Sequence, residues 1–241
     1  MRIAAAAAWM CAMAVNSAHA TVIVEDFDDG VLDPAWQVTF ENASGWSYSE
    51  QGTELTVTDV TTLASGWGRV NLERTVDLSG DFGLEWSFSW DEFGDPNAVQ
   101  FVYLGLTSAD DSYWTSMGLQ DAWDDVSGRL RATATGATAY IPNYGTAPFS
   151  GDALMTVTRE AGAVDIRIDG SSVVSASSNA TYTKLILSFG YYEGPGNTFG
   201  TESVDRIAIS IVPEPSTALL VAFFGAVARL RRRPKTGRRL C

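Results

Sequence analysis

Between residues 21 and 212 apolar and polar positions alternate with a period of two, and no stretch holds a helical period for long. Leu84, Trp86, Phe88 and Trp90 share one face of a segment whose other face carries Glu85, Ser87, Ser89 and Asp91. That is the pattern of an antiparallel strand with one side in the core. Residues 99–107, with Phe101, Val102, Tyr103, Leu104 and Leu106, are apolar on both sides and predict a central strand. Residues 154–158 and 164–168 flank the turn Glu160-Ala161-Gly162-Ala163, and Asp169-Gly170 leads on into Val173 and Val174, which predicts a three-strand meander. Residues 184–191 and 203–211 supply closing strands, separated by the loop signal Glu193-Gly194-Pro195-Gly196-Asn197. Turn signals recur about every 8 to 12 residues without an internal repeat, so the prediction is one all-β domain, a two-sheet antiparallel β-sandwich over residues 21–212.

The ends follow other patterns. Residues 1–20 show Arg2, an apolar run from Ile3 to Val15, and the small-residue sequence Ala18-His19-Ala20. This predicts a helical secretion signal cleaved after Ala20. Residues 213–241 open on Pro213-Glu214-Pro215, continue through an apolar run from Thr217 to Ala228, and end in Arg229, Arg231, Arg232, Arg233, Lys235, Arg238 and Arg239. Prolines stop the preceding strand, a short hydrophobic helix enters the inner membrane, and the arginines hold its end on the cytoplasmic side. The run is shorter than the roughly 20 residues of a free-standing span, which predicts transient anchoring. Pro213, Glu214 and Pro215 with Arg231, Arg232 and Arg233 resemble the PEP-CTERM sorting signal of Gram-negative bacteria. The resemblance implies passage through the export machinery, recognition by an exosortase, and delivery of the body to the cell surface or beyond.

Charge sharpens the division. Residues 21–212 carry eight basic against 28 acidic side chains, whereas residues 213–241 carry seven basic and Glu214. So acidic a body repels phosphate backbones, which argues against nucleic acid as a partner. Cys11 and Cys241 lie in the terminal segments, so the body holds no disulfide; His19 is the only histidine, which removes histidine triads and ordinary zinc sites from the mature protein.

The opening Val24-Glu25-Asp26-Phe27-Asp28-Asp29-Gly30, the hairpin Val164-Asp165-Ile166-Arg167-Ile168-Asp169-Gly170 and the closing Ser203-Val204-Asp205-Arg206-Ile207-Ala208-Ile209 resemble the concanavalin A-like lectin/glucanase jelly roll. The resemblance implies pairing of the first strand with the last. Clustered carboxylates without His or Cys suit Ca²⁺, a hard cation that takes oxygen ligands. By position the resemblance implicates Glu25 or Asp26 with Asp205; the same acids also fit solvated turns. The Glu-x-Asp-x-x-Glu motif of laminarinase-like members is absent. Tyr113, Trp114, Trp123 and Tyr144 lie in or beside Gly-, Asp- and Asn-rich segments read as loops, where they suit either sugar stacking or rim packing. The resulting expectation is an exported, non-enzymatic surface or matrix protein whose body is capable of binding polysaccharide or another component of the surface matrix. The alternative is a carboxylate-dependent glycoside hydrolase or polysaccharide lyase of the same fold.

Overall fold

The computed structural model describes residues 20–43, 45–58, 66–93, 99–110, 114–122, 125–134, 136–146, 149–193 and 201–211. The signal segment up to His19, including Ala18, and the sorting tail, with Pro213, Glu214, Pro215, Arg231, Arg232 and Arg233, lie outside the described residues.

The described residues form fifteen strands: β1 (Ala20–Glu25), β2 (Gln37–Glu41), β3 (Ser47–Gln51), β4 (Glu54–Thr58), β5 (Gly66–Leu78), β6 (Phe82–Phe93), β7 (Val99–Thr107), β8 (Trp114–Ala122), β9 (Asp125–Ala134), β10 (Ala137–Thr146), β11 (Phe149–Glu160), β12 (Ala163–Ile168), β13 (Ser171–Ser177), β14 (Tyr182–Glu193) and β15 (Thr201–Ile211). They make two antiparallel sheets. The eight-stranded sheet runs β13-β12-β11-β6-β15-β4-β3, with β1 also paired to β15, and the seven-stranded sheet runs β10-β9-β8-β7-β14-β5-β2. This is the predicted all-β sandwich, and its first strand pairs with its last from Ala20 opposite Ile211 to Glu25 opposite Ile207.

Alternation sorts the side chains as elementary strand geometry requires. Leu84, Trp86, Phe88 and Trp90 of β6 face the interior, and Trp86 and Phe88 stack with centroids 4.1 Å apart. Val102, Leu104 and Leu106 of β7, Met117 and Leu119 of β8, and Leu185, Leu187 and Phe189 of β14 meet them from the other sheet. Both predicted hairpins close through two-residue turns. Ala161 and Gly162 have φ of 49° and 80°, and Asp169 and Gly170 have φ of 49° and 80°. Positive φ at both central residues is the geometry whose twist matches the flanking strands.

One end of the sandwich is bolted by a charge. Arg159 of β11 is 2% exposed, lies over the rings of Phe82 and Tyr182, and donates to the carbonyls of Leu78, Gly80 and Ala180. Those carbonyls lie at the end of β5 and in the β5–β6 and β13–β14 connections, so one guanidinium ties two connections to β11.

The segment 114–146 departs from the expectation. The pattern places loops in or beside Trp114, Asp121 and Tyr144 and marks no particular strand there, but the segment forms β8, β9 and β10, which extend the seven-stranded sheet beyond β7. Its inward positions include Met117, Leu119, Leu130, Ala132 and Ala134, none of them β-branched or aromatic, and its outward ones include Ser116, Gly118 and Thr133, so the hydrophobic contrast is weak.

Candidate functional site

The outer face of the seven-stranded sheet is where the sequence departs from an ordinary solvated surface. Core parity in β7 belongs to Val102, Leu104 and Leu106, which turns Phe101, Tyr103 and Gly105 outward. Register sets Tyr103 against Gly118 of β8, Phe101 against Gly190 of β14, and Gly105 two pairs from Trp114, diagonally on the same face.

Each aromatic ring is floored by a glycine. A Cβ on Gly105 would lie 2.9 Å from Cζ2 and 3.0 Å from Cη2 of Trp114. One on Gly118 would lie 2.6 Å from Cδ1 of Tyr103, and one on Gly190 would strike the tip of Phe101. The three glycines remove the side chains that would hold the rings off the backbone. Phe101 and Tyr103 stack with centroids 4.8 Å apart and planes 16° from parallel. Phe101 is 7% exposed, and Trp114 is 40% exposed, so the indole shows an open flank to solvent.

The polar neighbours on this face are already ordered. Ser188 donates to Asn71 at 2.6 Å. Arg69 grips Glu41 through two nitrogens at 2.7 and 3.0 Å, and Lys184 faces Glu73 at 3.5 Å. The hydrogen bond from Arg69 holds the Glu41 carboxyl below its ordinary range. Among the described residues, the carboxyls pushed upward lie elsewhere. Glu25 and Glu50 are raised by burial and Asp205 by burial and by its neighbours Glu54 and Asp152.

The acids expected to hold calcium, Glu25 or Asp26 with Asp205, lie at the end of β1, just after it, and in β15. Glu25 is buried, accepts the Trp36 indole N–H at 3.1 Å, and has the Arg74 guanidinium 3.9 Å away. Asp26 is exposed, and its charge pushes the Asp28 carboxyl up. Asp205 sits at the bulge of β15 with Glu54 and Asp152 as its charged neighbours. Among the described residues no group of three or more acids, histidines or cysteines is placed to hold a metal.

Of the four predicted ligand-binding aromatics, Trp114 heads β8 and stands on the outward face, Tyr144 falls within β10, and Tyr113 and Trp123 lie outside the described residues. Tyr103 was missed because a strand apolar on both sides reads as wholly buried. The outward glycines that seat it and its neighbours come from strands paired across the sheet, which no local pattern announces.

No protein-family model and no curated protein sequence matches the chain. Solved structures share its fold. The GlcNAcα1-4Gal releasing endo-β-galactosidase from Clostridium perfringens superposes with a TM-score of 0.57 at 9% identity over 81% of this chain, which spans 64% of that protein's length. The laminarinase catalytic domain from Thermotoga maritima gives 0.56 at 12% identity, covering 81% of this chain and 99% of that one. The CBM2 module of the evolved Dit of Lactobacillus casei phage J-1 gives 0.55 at 10% identity, covering 79% and 94%. The chain thus has the concanavalin A-like jelly-roll fold of glucanases and laminarinases.

Proposed function

We propose that the body seats a polysaccharide chain on the outer face of the seven-stranded sheet, with the Trp114 indole and the Tyr103 ring as the platform. The observation that carries this reading is Trp114 lying against Gly105 with its other flank open. A flat, exposed aromatic supplies dispersion and C–H contact to a sugar ring, and nearby hydroxyl, amide and ion-paired groups order the rim. A neutral, hydroxyl-rich ligand suits a body with 28 acidic and eight basic residues. The secretion signal and sorting tail read in the sequence put this activity at the cell surface, after transient anchoring in the inner membrane and exosortase processing.

The likeness to an endo-β-galactosidase and a laminarinase supports the hydrolytic alternative more than it supports a purely non-enzymatic coat protein. Glycoside hydrolysis needs two carboxyls facing each other across the bound sugar, one held protonated by a raised pKa. On the described part of this face Glu41 and Glu73 each face a cation, and Glu41 is held ionised. Two measurements on one set of samples separate the readings. Binding to laminarin and to β-galactans is expected to weaken at least tenfold in Trp114→Ala, about 1.4 kcal/mol. Reducing ends released by the wild-type protein and lost in the variant make it a hydrolase, and binding without release makes it a lectin. Unchanged binding by the variant rejects the platform.

A further inference from the structure

The eight-stranded sheet has a hollow of its own on its outer face, on the opposite side of the sandwich from the platform. It is a depression of about 280 Å³ lined by Gly83 and Glu85 of β6, Thr156 and Thr158 of β11, and Arg206 and Ser210 of β15. Register explains why it exists. Ala208 pairs with Glu85 and Glu85 with Thr156, while Ser210 pairs with Gly83 and Gly83 with Thr158. Small residues at 83 and 208 therefore sit diagonally at the centre of the sheet, with longer polar side chains around them.

The lining narrows the ligand by chemistry. Glu85 accepts from Arg206 at 2.9 Å, both about half exposed, so the rim is polar without net charge. Thr156, Thr158 and Ser210 add hydroxyls that both donate and accept. Among the lining residues there is no aromatic ring, thiol or histidine, and the described lining carries no excess charge for an anion or a metal ion. Ala208, Leu84 and Ile209 supply the apolar part of the lining between the polar groups. Alternating hydroxyls, one carboxylate and one guanidinium beside an apolar lining match a neutral polyol. The volume is just under the roughly 300–1,000 Å³ of sites that enclose drug-sized ligands, so it suits one sugar unit rather than a buried chain.

We infer that this hollow is a second saccharide site, which takes a single neutral sugar unit of a polysaccharide and makes the body bivalent. The hollow stands on its own residues; the bivalency rests on the proposed platform. Because the two sites face away from each other across the sandwich, a short oligosaccharide seated in one does not reach the other. Bivalent engagement then cross-links two polysaccharide chains and gains avidity without a new contact.

The test is a titration of the isotope-labelled protein, followed by amide resonances, with laminarihexaose, cellohexaose and a β-galacto-oligosaccharide as probes. Two separate sets of shifts are expected, one over residues 101–107 and 114–118, the other over 83–85, 156–158 and 206–210. Thr156→Leu, which fills the hollow, and Arg206→Ala, which strips its rim, are each expected to weaken the second set at least tenfold and leave the first unchanged. Movement of the first set alone, with every probe, overturns the second site while the platform stands. Movement of the second set alone keeps the hollow as a saccharide site and removes both the platform and the bivalency. Silence of both sets overturns both.

Discussion

Arg159 is a cation inside an apolar layer, and burial pushes its pKa down. Carbonyls of Leu78, Gly80 and Ala180, with the faces of Phe82 and Tyr182, replace the water it gives up. Arg159→Met keeps the bulk and leaves those acceptors in the interior without a donor. The expected loss is roughly 3–5 kcal/mol of stability in urea unfolding, with Arg159→Lys recovering only part because an ammonium lacks the planar fork. At Gly105 the prediction is different in kind. Ala there places a methyl 2.9 Å from the Trp114 ring, so the ring lifts. The cost in stability is on the order of 1 kcal/mol, while oligosaccharide affinity falls about as far as in Trp114→Ala. A stability loss with unchanged affinity overturns the role of that glycine. Residues such as Trp86 and Trp90 were legible from the sequence because alternation alone assigns them. Tyr103 was not, because its seat is Gly118, a neighbour created by strand pairing.

Among elements, the connection from β1 to β2 shows how charge holds an edge. Asp33 accepts from the Ala35 amide at 2.9 Å and pairs with Arg74 at 2.8 Å, and Arg74 also lies over the Trp36 ring. Glu25, Asp33 and Glu50 come from three segments; Arg74 is the cation beside Glu25 and Asp33, while Glu25 and Asp29 add like charge beside Glu50. The carboxyls divide by sign. Asp33 is lowered, first by its backbone hydrogen bond, so its stabilising contribution exists above its unfolded value and is lost as pH falls through the folded one. Glu25 and Glu50 are raised, first by burial, so theirs is full below their unfolded value of 4.5 and is lost as pH rises through the folded one. The melting temperature should therefore decline from mildly acidic toward neutral pH. Glu50→Gln should raise it at neutral pH and flatten the slope; an equal slope in the variant rejects this account. Element legibility followed contrast. The meander β11-β12-β13 was plain because Ala161-Gly162 and Asp169-Gly170 mark its turns. In contrast, β8 to β10 escaped because Ser116, Gly118, Ala132 and Thr133 give neither a strong apolar face nor a strong polar one.

At the scale of the molecule, residues 21–212 hold no cysteine, so the sandwich is held by its packed core and not by a disulfide. Glu25, one of the two acids offered with Asp205 for calcium, has Arg74 and Trp36 as partners. A calcium ion tying Glu25 or Asp26 to Asp205 predicts a rise of several degrees in melting temperature with CaCl₂ that EDTA reverses, and an unchanged melting temperature rejects it.

The placement of β15 has a temporal meaning. It lies in the eight-stranded sheet with β6 on one flank and β4 and β1 on the other, yet it is the last of the described strands to be synthesised. Until residues 201–211 emerge, β1 lacks the strand it pairs with among the described residues and the inner flanks of β4 and β6 stand open, so that sheet cannot finish assembling on a growing chain. Such late, long-range closure is slow, and a polypeptide that stays unfinished while it is being made is one that can still be threaded through a narrow pore.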